Sequence, residues 1–218
     1  LSVTLWAPWS ARRKAIHEGV FQSPQSIHAF VARFISELEM IKEKAPQPRQ
    51  LNGAVGARML RPKAPPEGFA KVHVDVGVRR GRGGAAVAVC RDDRGTYLGS
   101  SSLVVCGVDD PAALEAMACR EALALAHDLN LHQVVIASDA KQVVNKINTS
   151  SKGAYGAIIS EIKAYSSLFQ CNFTFESRKV NLEAHKLAKH SLLLGPGCHV
   201  WYGQSHDPNC IPHSVDYE

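Results

Sequence analysis

Three carboxylates in this chain stand where a carboxylate costs stability. Asp75 lies mid-strand in KVHVDVGV (residues 71–78), between Val74 and Val76, although aspartate has poor strand propensity. Glu115 lies in PAALEAMACREALALAHDLN (111–130), a helix that is apolar nearly all round. At about 100° per residue, Arg120, Glu121, His127 and Asp128 fall roughly 120–140° to either side of it. They point broadly away, so Glu115 shares the sheet-facing side with Ala112, Ala116, Cys119 and Ala122. Asp139 closes HQVVIASD (132–139), at the carboxyl end of a β-branched strand, the edge where open α/β sheets bind ligands. Two of the acids have an ordinary alternative: a first-turn charge for Glu115, a helix cap for Asp139. Together they make a stronger case, because lone buried carboxylates are expensive and mutual repulsion calls for a divalent cation. Oxygen ligands of this kind suit Mg²⁺ or Mn²⁺.

A fourth residue is placed for the same chemistry. NLEAHKLAKHSLLL (181–194) reads as a short helix with His185 at the edge of its apolar face, close to Leu182, Ala188 and Leu192. Three readings stand side by side: a metal ligand, a hydrogen-bonded core histidine, or the mark of a decayed site.

The elements that must position these groups follow from periodicity. Residues 23–44 make a helix, with Ser23 as cap, Pro24 in the first turn and an apolar stripe of Ile27, Phe30, Val31, Phe34, Leu38 and Ile41. WAPWSARRKAIHEGVF before it reads as a shorter amphipathic helix. Residues 45–68 hold five of the eleven prolines and read as a linker. From 69 the pattern becomes strand-like: 71–78, 83–93 and 96–106, the last two joined through DDRG as a hairpin. Helix 111–130, strand 132–139, a helix from Ala140, helix 155–169, strand 170–177 and helix 180–194 follow. This is α/β: a mixed five-stranded sheet in the order βββαβαβα, with helices on both faces and a helical segment ahead of it. The divisions are a helical segment 1–44, the linker 45–68, the α/β domain 69–194 and an irregular tail 195–218.

Residues 1–68 carry 10 Lys and Arg against 5 Asp and Glu, leaving 15 against 15 for residues 69–218. The domain is therefore neutral, and any polyanion must meet local patches. No apolar run approaches the roughly 18 residues needed to span a bilayer. The six cysteines lack a CxxC pair, a usage that suits a reducing, intracellular compartment with no secretion. The chain opens LSVTLWAPWSARRK without an initiator methionine, which points to a piece of a longer product. Cys198, His199, His206, Cys210 and His213 crowd the tail and raise zinc as a further option, although no standard spacing is met.

The first-strand aspartate, RDDRGTYLGSS, EAMACREALALA, VVIASDAKQVVNKI and NLEAHKLAK, in that order, resemble the ribonuclease H family. The likeness is greatest to the ribonuclease H-like domains of plant non-LTR retrotransposons, and covers residues 66–194. WSARRKAIHEGVF and the helix after it resemble the segment joining reverse transcriptase to such a domain. Glu115 precedes Asp139, as in ribonucleases H and unlike transposases and integrases. The resemblance implies an endonuclease that cuts the RNA strand of RNA–DNA hybrids with two Mg²⁺ or Mn²⁺ ions. Asp75, Glu115 and Asp139 would hold one ion, and Asp75 with His185 the other. His185 stands where relatives carry a fourth aspartate, in the frame kept by Asn181, Leu187 and Ala188.

Phosphates would meet Arg79, Arg80 and Arg82 after the first strand, and Lys141, Lys146, Arg178, Lys179 and Asn181 elsewhere. The partners implied are an RNA–DNA hybrid and an upstream reverse transcriptase domain, with no membrane. The chain departs from the family in three ways. Val76, not glycine, follows the first aspartate; FESRKVN lacks the histidine of the bacterial loop; and the stretch from Asp139 to His185 is too short for an extra basic helix. A decayed or domesticated module that only binds nucleic acid or a protein is the alternative function.

Overall fold

A computed structural model of the chain describes residues 7–8, 11–12, 15, 21–42, 61–149 and 155–218. The early amphipathic helix and the linker of 45–68 therefore lie largely outside the described residues, although Ala7, Pro8, Ala11, Arg12 and Ala15 are helical. Helix α1 spans Pro24–Lys42. The strands are β1 (Ala70–Arg79), β2 (Gly83–Arg91), β3 (Tyr97–Cys106), β4 (Gln133–Ser138), β5 (Gln170–Phe175) and β6 (Gly197–Tyr202). The remaining helices are α2 (Pro111–Asp128), α3 (Lys141–Thr149), α4 (Gly156–Ser166) and α5 (Leu182–Ser191).

The sheet has six strands in the order β5-β4-β1-β2-β3-β6. β1, β2, β3 and β6 pair antiparallel; β4 runs parallel to both β1 and β5. The mixed sheet with helices on both faces is as the periodicity predicts. The strand count and the irregular tail are corrected: GCHVWY pairs with β3, Gly99 against Tyr202 through Val104 against Gly197. The tail then runs back along the β2–β3 hairpin, where Tyr97 N–H donates to His213 O and Val215 N–H to Gly95 O. Buried Arg91 on β2 fastens it: the guanidinium forks onto Glu183 of α5 at 2.7 and 2.9 Å and donates to Pro212 O.

Both faces of β1 are covered. Even-numbered Val72 and Val74 join Leu114 and Met117 of α2 in the main core. Odd-numbered positions turn toward α5, whose Ala184, Leu187 and Ala188 pack on Ala85, Val87 and Val89 of β2. Lys71, His73 and Asp75 are thereby buried. Helix α2 begins at a cap, Asp110 accepting from Ala113 N–H at 2.7 Å, followed by Pro111 at a position needing no N–H donor. Its alanines keep it close to the sheet, and α4 covers its other side, so Arg120 is buried too, paired with Glu161 at 3.1 Å. Two glycines set the close approach. A Cβ on Gly77 would lie 2.6 Å from Ala188 O of α5, and one on Gly84 would lie 2.4 Å from Leu114 of α2.

Candidate metal and nucleic-acid site

Parallel pairing of β1 with β4, Val74 against Ser138, brings the two strands' carboxyl ends level. Asp75 and Asp139 each follow one of these paired residues. Glu115 reaches the same place from the second turn of α2. Ligand oxygens of Asp75, Glu115 and Asp139 all lie within 4.8 Å of one another, the one such group among the described residues. Asp75 and Glu115 are buried and Asp139 is half-buried at the mouth.

The electrostatics of this trio are unfavourable without a cation. Burial, then Asp139 and Asp75, push the Glu115 carboxyl up to about 8, and Ser138 Oγ donates to its Oε2 at 3.2 Å. Burial and the Asp75 charge raise Asp139 as well, with Arg178 pulling the other way. Three converging carboxyls, two of them raised by burial and by their neighbours' charge, form a donor set that fits a hard divalent ion.

His185 stands beside the trio. Its Nδ1 lies 2.9 Å from Asp75 Oδ2, and its side chain is 22% exposed against 5% for Asp75. With the carboxylate as acceptor, Nδ1–H is the donor of this bond. Arg178 Nη2 lies 3.3 Å from the ring's Nε2, and 3.1 Å from Nδ1. Arg178 thus sits against the His185 ring, and the ring in turn contacts Asp75. Val76 N–H donates to the other oxygen of Asp75, at 2.8 Å.

The predicted contacts divide. Arg79, Arg80 and Arg82 are exposed on the β1–β2 turn, about 13 Å along the strand from Asp75. Lys141, Arg178 and Lys179 are exposed as well. Two others are engaged within the fold. Asn181 is 2% exposed and its amide donates to Val74 O at 2.7 Å, so it fastens α5 to β1 and is shut off from a ligand. Lys146 is held by Tyr155, its Nζ 2.8 Å from the hydroxyl and 4.4 Å from the ring centre. The tail's cysteines and histidines do not gather into a metal-holding group among the described residues. Cys198 instead faces Glu121, at 3.7 Å.

Sequence reasoning missed a second buried cluster one pleat from Asp75. Glu176, just past β5, accepts from Lys71 Nζ and lies 3.1 Å from His73 Nε2, while Lys71 also donates to Lys63 O. Burial alone would raise the Glu176 carboxyl; its bonds to His73 and Lys71 hold it below the usual range. The signal was present: Lys71, His73 and Asp75 are three polar residues on one face of one strand.

Residues 73–191, more than half of the chain, match a protein family described as reverse transcriptase-like. No curated protein matches the sequence. Among solved structures the fold is similar to the N-terminal RNase H domain of a Mycobacterium tuberculosis protein, at 22% identity and a TM-score of 0.52 over 57% of this chain and 93% of that one. It is also similar to RNase H1 of the archaeon Halobacterium salinarum, at 16% identity, TM-score 0.52, and 57% and 97% coverage. An RNase H1 isolated from compost by a metagenomic approach matches at 18% identity, TM-score 0.51, and 57% and 95% coverage. At such identities the likeness is one of fold, an RNase H-like mixed sheet.

Proposed function

This chain belongs to the reverse transcriptase-like family, and from that membership we propose that it is a divalent-metal-dependent endonuclease cutting the RNA strand of RNA–DNA hybrids. One observation carries the reading: Asp75, Glu115 and Asp139, distant in sequence, converge within 4.8 Å at the carboxyl end of the central strands. Held by these three, Mg²⁺ or Mn²⁺ would supply Lewis acidity at a phosphoryl oxygen. Glu115 would hold the ion as its carboxylate, with Ser138 Oγ donating to that group. Asp75 is pre-set by Val76 N–H and by His185. Asp139, at the mouth, faces the incoming strand. The second ion expected between Asp75 and His185 would need the ring to turn from its present partners.

Exposed Arg178 and Lys179 on one side, and Arg79, Arg80 and Arg82 on the other, would meet backbone phosphates. Preference for RNA would rest on contacts to the 2′-hydroxyl. A retroelement origin, an intracellular setting and a reverse transcriptase domain joined ahead of residues 1–44 complete the reading. Support for them comes from the family's description and the resemblance of WSARRKAIHEGVF to such a connection.

The test is cleavage of an end-labelled hybrid under Mg²⁺ and Mn²⁺ titration, compared with single- and double-stranded RNA and DNA. The proposal expects cutting of the RNA strand of the hybrid alone. Histidine in place of a fourth acid favours the second reading, a module that binds without cutting. Hybrid binding with no product under either ion would establish that instead.

A further inference from the structure

Residues 61–62 and the tail meet outside the region shared with the family, which spans residues 73–191. Glu218 N–H donates to Pro62 O at 3.0 Å, and Arg61 pairs with Asp216 at 3.4 Å. Between this clasp and the start of α5 lies a cavity of about 520 Å³, the size of a small-molecule site. Part of its wall is therefore an addition to the shared fold.

The wall has two characters. Val180, Leu182, Val215 and Tyr217 give an apolar bed, and Leu182 is left 38% exposed on the first turn of α5. The Tyr217 ring is steadied by its hydroxyl, which donates to Asp92 O at 3.2 Å. The rim is basic. Arg91 is committed to Glu183 and Arg61 to Asp216. Lys179 and Lys186 are exposed and have no carboxylate partner among the described residues. Four cations against two carboxylates line the cavity, beside a domain whose charges balance.

A simple anion would use the rim and leave the bed bare. A nucleotide uses both, because its base stacks on side-chain faces and its phosphate meets ammonium groups. The position agrees. His73, in the cavity wall, stands two residues from Asp75 on the same face of β1. That is about 7 Å along the strand, the length of two base steps at about 3.4 Å each.

We propose that this cavity takes one unpaired nucleotide from the end of a hybrid bound at the acid trio, the base against Tyr217 and Leu182 and the phosphate on Lys179 and Lys186. The inference rests on the nucleic-acid reading for its ligand. It goes beyond that reading in adding a site for single-stranded flanks, built largely by the tail and by residues 61–62.

Fluorescence anisotropy on the full chain in EDTA tests it without cleavage. Blunt hybrids are compared with hybrids whose RNA strand runs on by a few unpaired nucleotides at its 5′ or its 3′ end. One of the two extensions should tighten binding by about tenfold, the scale of one stacked base. Lys186→Gln, an exposed change that spares the packing, should remove most of the gain and leave blunt hybrid bound within about twofold of wild type. Tyr217→Ala should also remove the gain, whereas Tyr217→Phe keeps the ring and should keep it. Equal binding of blunt and extended hybrids overturns the proposal. So does an equal gain from an abasic extension, or a gain that survives both Lys186→Gln and Tyr217→Ala. A single-stranded RNA carrying photoactivatable 4-thiouridine should crosslink within residues 209–217, and crosslinks confined to other residues overturn the proposal as well. If no hybrid binds but that crosslink forms, the hybrid reading fails and the cavity stands. An extended hybrid that binds through the tail and is never cut refutes the nuclease reading alone.

Discussion

Replacing Glu115 by glutamine should make the metal-free protein more stable at alkaline pH, by an amount the site's electrostatics set. In the folded chain burial and two neighbouring carboxylates push Glu115 from 4.5 to about 8. Below about 4.5 the folded and unfolded chains both hold the proton, and Glu115 makes no pH-dependent difference. Between about 4.5 and 8 the unfolded chain releases it and the folded chain keeps it, so stability falls as pH rises, by about 1.4 kcal/mol per unit. The full loss is on the order of 5 kcal/mol, a large part of the roughly 5–15 kcal/mol available to a domain. Glutamine has nearly the same shape, stays neutral throughout and can still accept from Ser138. Urea unfolding in EDTA, followed by tryptophan fluorescence at pH 5.5 and 8.5, isolates the effect. The wild type should lose about 3 kcal/mol more than Glu115→Gln between the two, a relative midpoint shift of about 1.5 M at a typical slope. Asp139, also raised, titrates in both proteins and largely cancels. Saturating Mg²⁺ or Mn²⁺ should abolish the wild-type loss, because a cation replaces the proton. Parallel pH profiles for the two proteins would refute the burial-and-repulsion account of Glu115.

Asp75→Asn should abolish both Mn²⁺ binding and hybrid cleavage while leaving the circular dichroism spectrum unchanged; persistent binding would show that the trio is not the metal holder. His185→Asp should keep or raise Mg²⁺-supported cleavage, and unchanged activity in His185→Ala would remove the histidine from the site's chemistry. Gly77→Ala should destabilise the fold by about 1–3 kcal/mol in urea unfolding, since its Cβ would meet Ala188 O at 2.6 Å. Arg91→Ala should cost about 3 kcal/mol or more by leaving Glu183 without its fork and the tail without its anchor, and a wild-type midpoint would contradict that role.

The acids were legible because they violate local preference: an aspartate mid-strand and a glutamate on an apolar helix face ask for an explanation that only a shared site gives. Their convergence follows from the parallel β1–β4 pairing, which the βαβ pattern already implies. β6 was hidden for the opposite reason. GCHVWY is short, half-exposed and bounded by Gly-Pro and Gly-Gln, and its strand character comes from β3, about a hundred residues earlier in the chain. Asn181 reads as an exposed helix-start residue; only the packing of α5 on β1 turns it inward to Val74. The Lys71–Glu176–His73 cluster needed β5 placed beside β4 before Glu176 could be seen to face β1. Arg178 was visible as a charge, but its bearing on His185 depends on that same loop.

The convergence of Asp75, Glu115 and Asp139 on one divalent cation is tested most directly by anomalous diffraction from crystals soaked in Mn²⁺. A peak within coordinating distance of all three carboxylates is the predicted result. Full soaking with no peak between them, or a peak held by other side chains, would contradict the account.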